Sequence, residues 1–181
     1  MQLDLTTQGP MILATSVAFV AVITDLKDGK VYNWLTLPAI LLGWLLNLYL
    51  QGLSGLGYSL VATLLGILLY MPGGVFGLIG MGDVKLLGAL GAIGGSNYVF
   101  TIFLYSSALG IPHAVLVQIL NYGRNAFGMA ATSFTTGAFL QKTIHKENSD
   151  QLQTGKYRFL MGIDIFIACI IGWFHVFNIT F

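Results

Sequence analysis

Two aspartates carry the chemistry that this sequence has to explain. Asp83 sits in Gly80-Met81-Gly82-Asp83-Val84-Lys85-Leu86, an acid and a base at the mouth of an apolar run in a chain with few charges. Asp25 opens Asp25-Leu26-Lys27-Asp28-Gly29-Lys30, the densest charge cluster of the first half. Two carboxylates brought within a few ångströms do not both ionise easily, so one keeps a proton and the pair titrates as a unit. In that state the ionised carboxylate can take a proton from water while its protonated partner hydrogen-bonds a carbonyl, which is how paired aspartates hydrolyse an amide. Gly80 and Gly82, lacking side chains, would let an extended substrate backbone approach closely.

The elements that would position this pair follow from composition. The chain has 181 residues, 56% hydrophobic and 8% charged, against roughly a quarter charged in a soluble domain. It reads as an all-α integral membrane protein, one membrane domain over residues 1–181. Apolar runs fall at about Met11 to Thr24, Leu37 to Leu50, Tyr58 to Met71, Asp83 to Gly94, Tyr98 to Leu120 and Phe159 to Phe177. They form a bundle of about six transmembrane helices. The first run lacks a basic flank and a small-residue cleavage site, so it is read as a retained span. Pro10 and Pro38 suit first helical turns, and Asn33 or Thr36 can cap the second span. Gln51 to Gly57 reads as an uncharged loop, Pro72-Gly73-Gly74 as a break, and Pro112 as a kink. The fourth run gives only about 18 Å of helix against a hydrocarbon layer of about 30 Å. It must pack among other helices, and the small pairs Gly88/Ala92 and Gly91/Gly95 permit this. Asn121 to Arg158 is a polar loop whose middle, Phe127 to Phe139, suits the membrane interface.

Charge supplies an orientation independently. All eight lysines and arginines follow spans one, three or five: Lys27 and Lys30, then Lys85, then Arg124, Lys142, Lys146, Lys156 and Arg158. By the positive-inside rule those connections are cytoplasmic and both termini lie outside. Asp25 and Asp83 then share one face and one depth, at the end of span one and the start of span four. No polybasic run is present, so nucleic acid is not an expected partner.

Each residue also has a plainer reading. Asp83 could be a helix N-cap that complements the dipole, Asp25 a solvated charge beside Lys27, and Asn33 a cap. Asp164, one or two turns into the last span, could rival Asp25 as the partner of Asp83, or form an ion pair with Lys85 or Arg158. His113 can hydrogen-bond across helices. His113, His145 and His175 share no ligand spacing, so neither a metal site nor a cofactor is expected. Cys169, the single cysteine, excludes an internal disulfide and reads as a small core residue.

The stretch Gly80 to Leu86 resembles the GxGD motif of type IV prepilin peptidases. Asp25-Leu26-Lys27, with Val31, Asn33, Leu35 and Thr36, is similar to that family's first aspartate segment. The resemblance implies an aspartic-type endopeptidase of the inner membrane with Asp25 and Asp83 as its catalytic pair, supported by Gly80, Gly82, Lys85 and Asn33. It implies removal of short basic leaders from type IV or Flp-type prepilins at the cytoplasmic face, with the substrate's apolar helix in the bilayer. Two departures stand out. Tyr32 occupies a position where the family often has proline, and Tyr157-Arg158-Phe159-Leu160-Met161-Gly162 lacks the proline common before the last helix. Larger members carry a cysteine-bearing domain and N-methylate their product; this chain looks like the small form without it. Alternatives are a presenilin-like protease cutting within its substrate's helix, a preflagellin-type peptidase, and a non-catalytic scaffold or transporter. Depth counts against the first, and the absence of an inverted repeat against the last.

Overall fold

The computed structural model describes residues 5–75, 79–122 and 160–179, and every element in them is helical. Helix α1 runs over Leu5–Asp28, α2 over Asn33–Val75, α3 over Met81–Tyr122 and α4 over Met161–Ile179. The segments Gly9–Asp28, Asn33–Val75 and Met81–Val117 are long and apolar enough to cross a membrane, and Met161–Trp173 is a shorter apolar helix. The polar loop expected from Asn121 to Arg158 lies, beyond Tyr122, outside the described residues.

Both long helices break at a glycine. Gly52 has φ 66° and ψ −152°, and Gly95 has φ 83° and ψ 179°. Only glycine takes such angles without strain, because a Cβ would collide with the neighbouring peptide. Each break folds the helix back on itself. Trp44 Nε1 donates to Thr63 Oγ1 at 3.0 Å across the Gly52 break. In an unbroken helix those residues would stand about 28 Å apart. In α3, Ser106 beyond the break hydrogen-bonds Tyr70, and Leu87 before it packs on Gly66, one turn earlier in α2. Both arms of α3 therefore lie against the second arm of α2.

The first arm of α3 is the centre of the bundle. Leu86, Leu87, Ala89, Leu90, Ala92 and Ile93 are all buried. A short helix apolar on every face is stable only when helices surround it, and here α1, the arms of α2, and α4 do so. Glycine makes the approach possible. A Cβ at Gly43 would stand 2.7 Å from the Ala92 carbonyl carbon, and one at Gly66 2.6 Å from the Leu87 carbonyl oxygen. A Cβ at Gly91 would collide with the Ala62 carbonyl oxygen. Gly88 and Gly91 are contact glycines as the small-residue spacing predicts. Gly95 instead makes the break, with open space around it. Outside this centre, Leu41, Leu45, Leu64 and Leu68 of α2 are exposed, an apolar face suited to lipid.

The break at Gly95 frees carbonyls that no longer find a helical donor. Asn47 Nδ2 donates to the carbonyls of Ala92 at 2.9 Å and Ile93 at 3.3 Å, and also to Gly43 at 3.0 Å. Ser59 Oγ donates to the Ala92 carbonyl at 2.5 Å. Two side chains of α2 thus close the C-terminal end of the central arm.

Several boundaries differ from the sequence expectations, each for a local reason. Residues 51–57 are helical except at Gly52, so one residue makes the turn that a loop was expected to make. α2 continues through Pro72 to Val75 rather than ending there. Pro10 and Pro38 lie inside α1 and α2, beyond their first turns, because both helices start earlier. The backbone of α3 leaves helical angles at Gly95 and not at Pro112.

Candidate active site

Asp25 occupies the last turn of α1. That helix ends at Gly29, whose φ of 63° is left-handed and whose N–H donates to the Asp25 carbonyl at 2.8 Å. This is a glycine C-cap, and it turns the chain immediately after the acid. α2 then starts one turn further on. The Tyr32 carbonyl accepts from the amides of Leu35 at 3.1 Å and Thr36 at 3.3 Å, so Tyr32 stands at the cap position. Its exposed phenol lies beside Asp28, whose negative charge pushes it above the ordinary tyrosine range. Asn33 and Thr36 are therefore first-turn residues and not caps. Thr36 is fully buried.

Asp83 occupies the first turn of α3. The Gly80 carbonyl accepts from the amides of Asp83 at 3.0 Å and Val84 at 3.3 Å. Gly80 thus holds the cap position, and the reading of Asp83 as the N-cap does not apply. The Asp83 carboxylate turns back so that its Oδ2 would stand 2.9 Å from a Cβ at Gly80, within reach of the Gly80 amide. Its Oδ1 is buried and has no hydrogen-bond partner among the described residues. Leaving such an oxygen unpaired costs about 1–3 kcal/mol.

These two turns meet. Asp25 and Asp83 are 6% and 8% exposed, line one pocket of about 270 Å³, and Asp83 feels the charge of Asp25. The pocket lies between the α1–α2 turn, with Gly29, Lys30 and Val31, and the stretch Gly80 to Asp83. Gly82 explains how they meet. A Cβ there would stand 2.6 Å from the Val31 carbonyl oxygen, so only glycine lets α3 press against the turn that follows Asp25. Gly82 thus packs against this turn and, with Gly80, also borders the pocket that a substrate backbone would enter. Lys85 Nζ donates to Asn33 Oδ1 at 2.9 Å, an exposed hydrogen bond that links the same two segments.

Asp164 is not on this pocket. It is 5% exposed in the first turns of α4 and is hydrogen-bonded to His113, with Nδ1 at 2.9 Å from Oδ2 and 3.2 Å from Oδ1. The histidine does bond across helices, and the acid's partner is neither Lys85 nor Asp83. Sequence reasoning missed a second contact from the same turn. The Gly162 N–H donates to Asp25 Oδ2 at 3.0 Å. A glycine two residues before a buried acid, at the start of an apolar helix, was the available signal. Among the described residues no three His, Cys, Asp or Glu side chains converge as a metal site would require. Residues His145 and Arg158 lie outside the described residues.

A family model matches residues 12–115, more than half of the chain, and describes the type IV leader peptidase family. The chain belongs to the type IV leader peptidase family. The match runs through Asp25, Asp83 and His113 and ends before α4. Membership makes this leader peptidase homologue a member of a protease family, aspartic-type, whose substrates are of the prepilin type. With its long apolar helices it is a multi-pass membrane protein. No curated protein and no solved structure matches the chain.

Proposed function

We propose that this chain is an aspartic endopeptidase of the inner membrane that removes short basic leaders from type IV or Flp-type prepilins at the cytoplasmic face, with Asp25 and Asp83 as the catalytic pair. The observation that carries the proposal is that both carboxylates, each buried, line the same pocket. The ionised carboxylate takes a proton from a water molecule as its oxygen attacks the scissile carbonyl carbon. The protonated carboxylate hydrogen-bonds the carbonyl oxygen and stabilises the charge that develops there. Proton transfer to the amide nitrogen then lets the C–N bond break, giving a carboxylic acid and a new amino terminus. Asp83 Oδ1, buried and unpaired at the pocket, suits a water or a substrate group as its partner.

In this reading the arms of α2 and α3 cross the bilayer separately, because 43 residues of helix would span about 65 Å, twice the hydrocarbon thickness. That gives six crossings with both termini outside. Lys27, Lys30 and Lys85 then lie with the two acids at the cytoplasmic end. The position of each acid in a terminal turn favours a cut at the interface over one inside the substrate's helix. The experiment is co-expression with a panel of type IV and Flp-type prepilins. The expected product starts at the leader boundary by amino-terminal sequencing. Intact prepilins throughout, with the enzyme inserted in the membrane, reject the proposal.

A further inference from the structure

We infer that the first turn of α4 is a working part of the active site, with Gly162 as a positioning residue for Asp25 and the His113–Asp164 pair as the clasp that holds that turn in place. The inference rests on the proposed catalytic role of Asp25.

Three observations converge on it. First, the Gly162 N–H donates to Asp25 Oδ2 at 3.0 Å, and the bond is buried. This amide belongs to the first turn of α4, where no intrahelical acceptor exists. Asp25 satisfies it, and in return the amide fixes the rotation of the carboxylate. Second, the contact has no room for a side chain. A Cβ at Gly162 would stand 2.8 Å from Asp25 Oδ2 and 3.2 Å from Asp25 Cβ. Any other residue must push the acid or the helix away. Third, the turn is tied down two residues later. Asp164, 5% exposed, is hydrogen-bonded to His113 on the second arm of α3, at 2.9 Å. A buried carboxylate costs several kcal/mol unless partnered, so the imidazole makes this register of α4 favourable. Neither His113 nor Asp164 lines the pocket. Their effect on the reaction runs through Gly162 and Asp25.

Orientation of a catalytic group matters steeply, since about 1 Å of misplacement can cost a hundredfold in rate. A displaced Asp25 still leaves the substrate its other contacts, so kcat falls while KM holds.

The test is steady-state cleavage of a purified prepilin by detergent-solubilised wild type, Gly162→Ala, Asp164→Ala, Asp164→Asn and Gly172→Ala, each with a thermal melt. Gly172 lies on the same helix, and a Cβ there meets neighbours only at 3.4 Å or more, so its variant is the control. Gly162→Ala is expected to lose at least tenfold in kcat, with KM within twofold and a melt near that of wild type. Asp164→Ala is expected to follow the same pattern more weakly. Asp164→Asn, which keeps an oxygen for the imidazole, is expected to retain at least half the wild-type kcat. Wild-type kcat in a folded Gly162→Ala, or a loss confined to KM, overturns the inference. If Gly162→Ala does not fold, amide exchange at Gly162 decides: at least tenfold faster in Asp25→Ala than in wild type supports the bond, and equal rates refute it. Failure of wild type to cut prepilin at all would sink the proposed function instead, so the two failures are distinct.

Discussion

Asp25 and Asp83 face one pocket from opposite kinds of helix end, the last turn of α1 and the first turn of α3. The steric key is a third residue, Gly82, which lies against the Val31 carbonyl. Replacing it by alanine forces a backbone atom to yield, because the obstacle at 2.6 Å is a carbonyl oxygen and not the tip of a flexible chain. Gly82→Ala is expected to destabilise the bundle by about 1–3 kcal/mol. Prepilin cleavage is expected to fall more than tenfold, since the shift separates the two acids. Parallel melts and rate measurements in detergent check both.

The pH profile follows from the pair and not from either residue alone. In the proposed mechanism activity needs one carboxylate protonated and the other ionised. It should fall at low pH, where both hold protons, and at high pH, where neither does. A bell-shaped kcat/KM profile is expected, with two apparent constants that belong to the dyad. A profile with a single limb across the range in which the protein stays folded would count against a shared proton.

The break at Gly95 yields a stability prediction with no steric component. Nothing stands within 4 Å of a Cβ there, yet φ is 83°. Gly95→Ala should therefore cost about 1–3 kcal/mol through backbone strain alone. Gly57→Ala, also with open space but without the positive φ, should cost nothing, since alanine has the higher helix propensity. Chemical denaturation of both variants in micelles separates conformation from crowding.

Asn47 closes the end of the central arm, and its removal tests that role. Asn47→Ala leaves the carbonyls of Ala92 and Ile93 with fewer donors in an apolar setting. The expected loss is about 1–3 kcal/mol, with cleavage at permissive temperature nearly unchanged because the site lies at the other end of that arm. A lowered melting temperature with intact kcat is the expected pair of results.

Much of this was legible in the sequence, and the residues show why. Asp25 and Asp83 stand out because acids are rare in so apolar a chain, and they line one pocket. Gly88 and Gly91 were readable as contact glycines from their spacing. Helix ends were less legible. Pro10, Pro38 and Pro72 look like boundaries, yet α1 starts before the first, α2 before the second, and α2 runs on past the third. Gly52 and Gly95 turn the chain alone because their φ is positive, and composition does not carry φ. The bond of Asn33 to Lys85 and the packing of Gly82 on Val31 were not legible because they join segments far apart in the chain. The same holds for Gly162, whose amide reaches Asp25 from the last helix.

The central claim is that Asp25 and Asp83 together perform the cleavage. The measurement that tests it most directly is the rate of leader removal by Asp25→Asn and Asp83→Asn, both isosteric, each assayed at matched membrane levels against wild type. A loss of at least about a hundredfold is expected for either variant, with no further loss in the double variant. Cleavage at or near the wild-type rate by either single variant would contradict the claim.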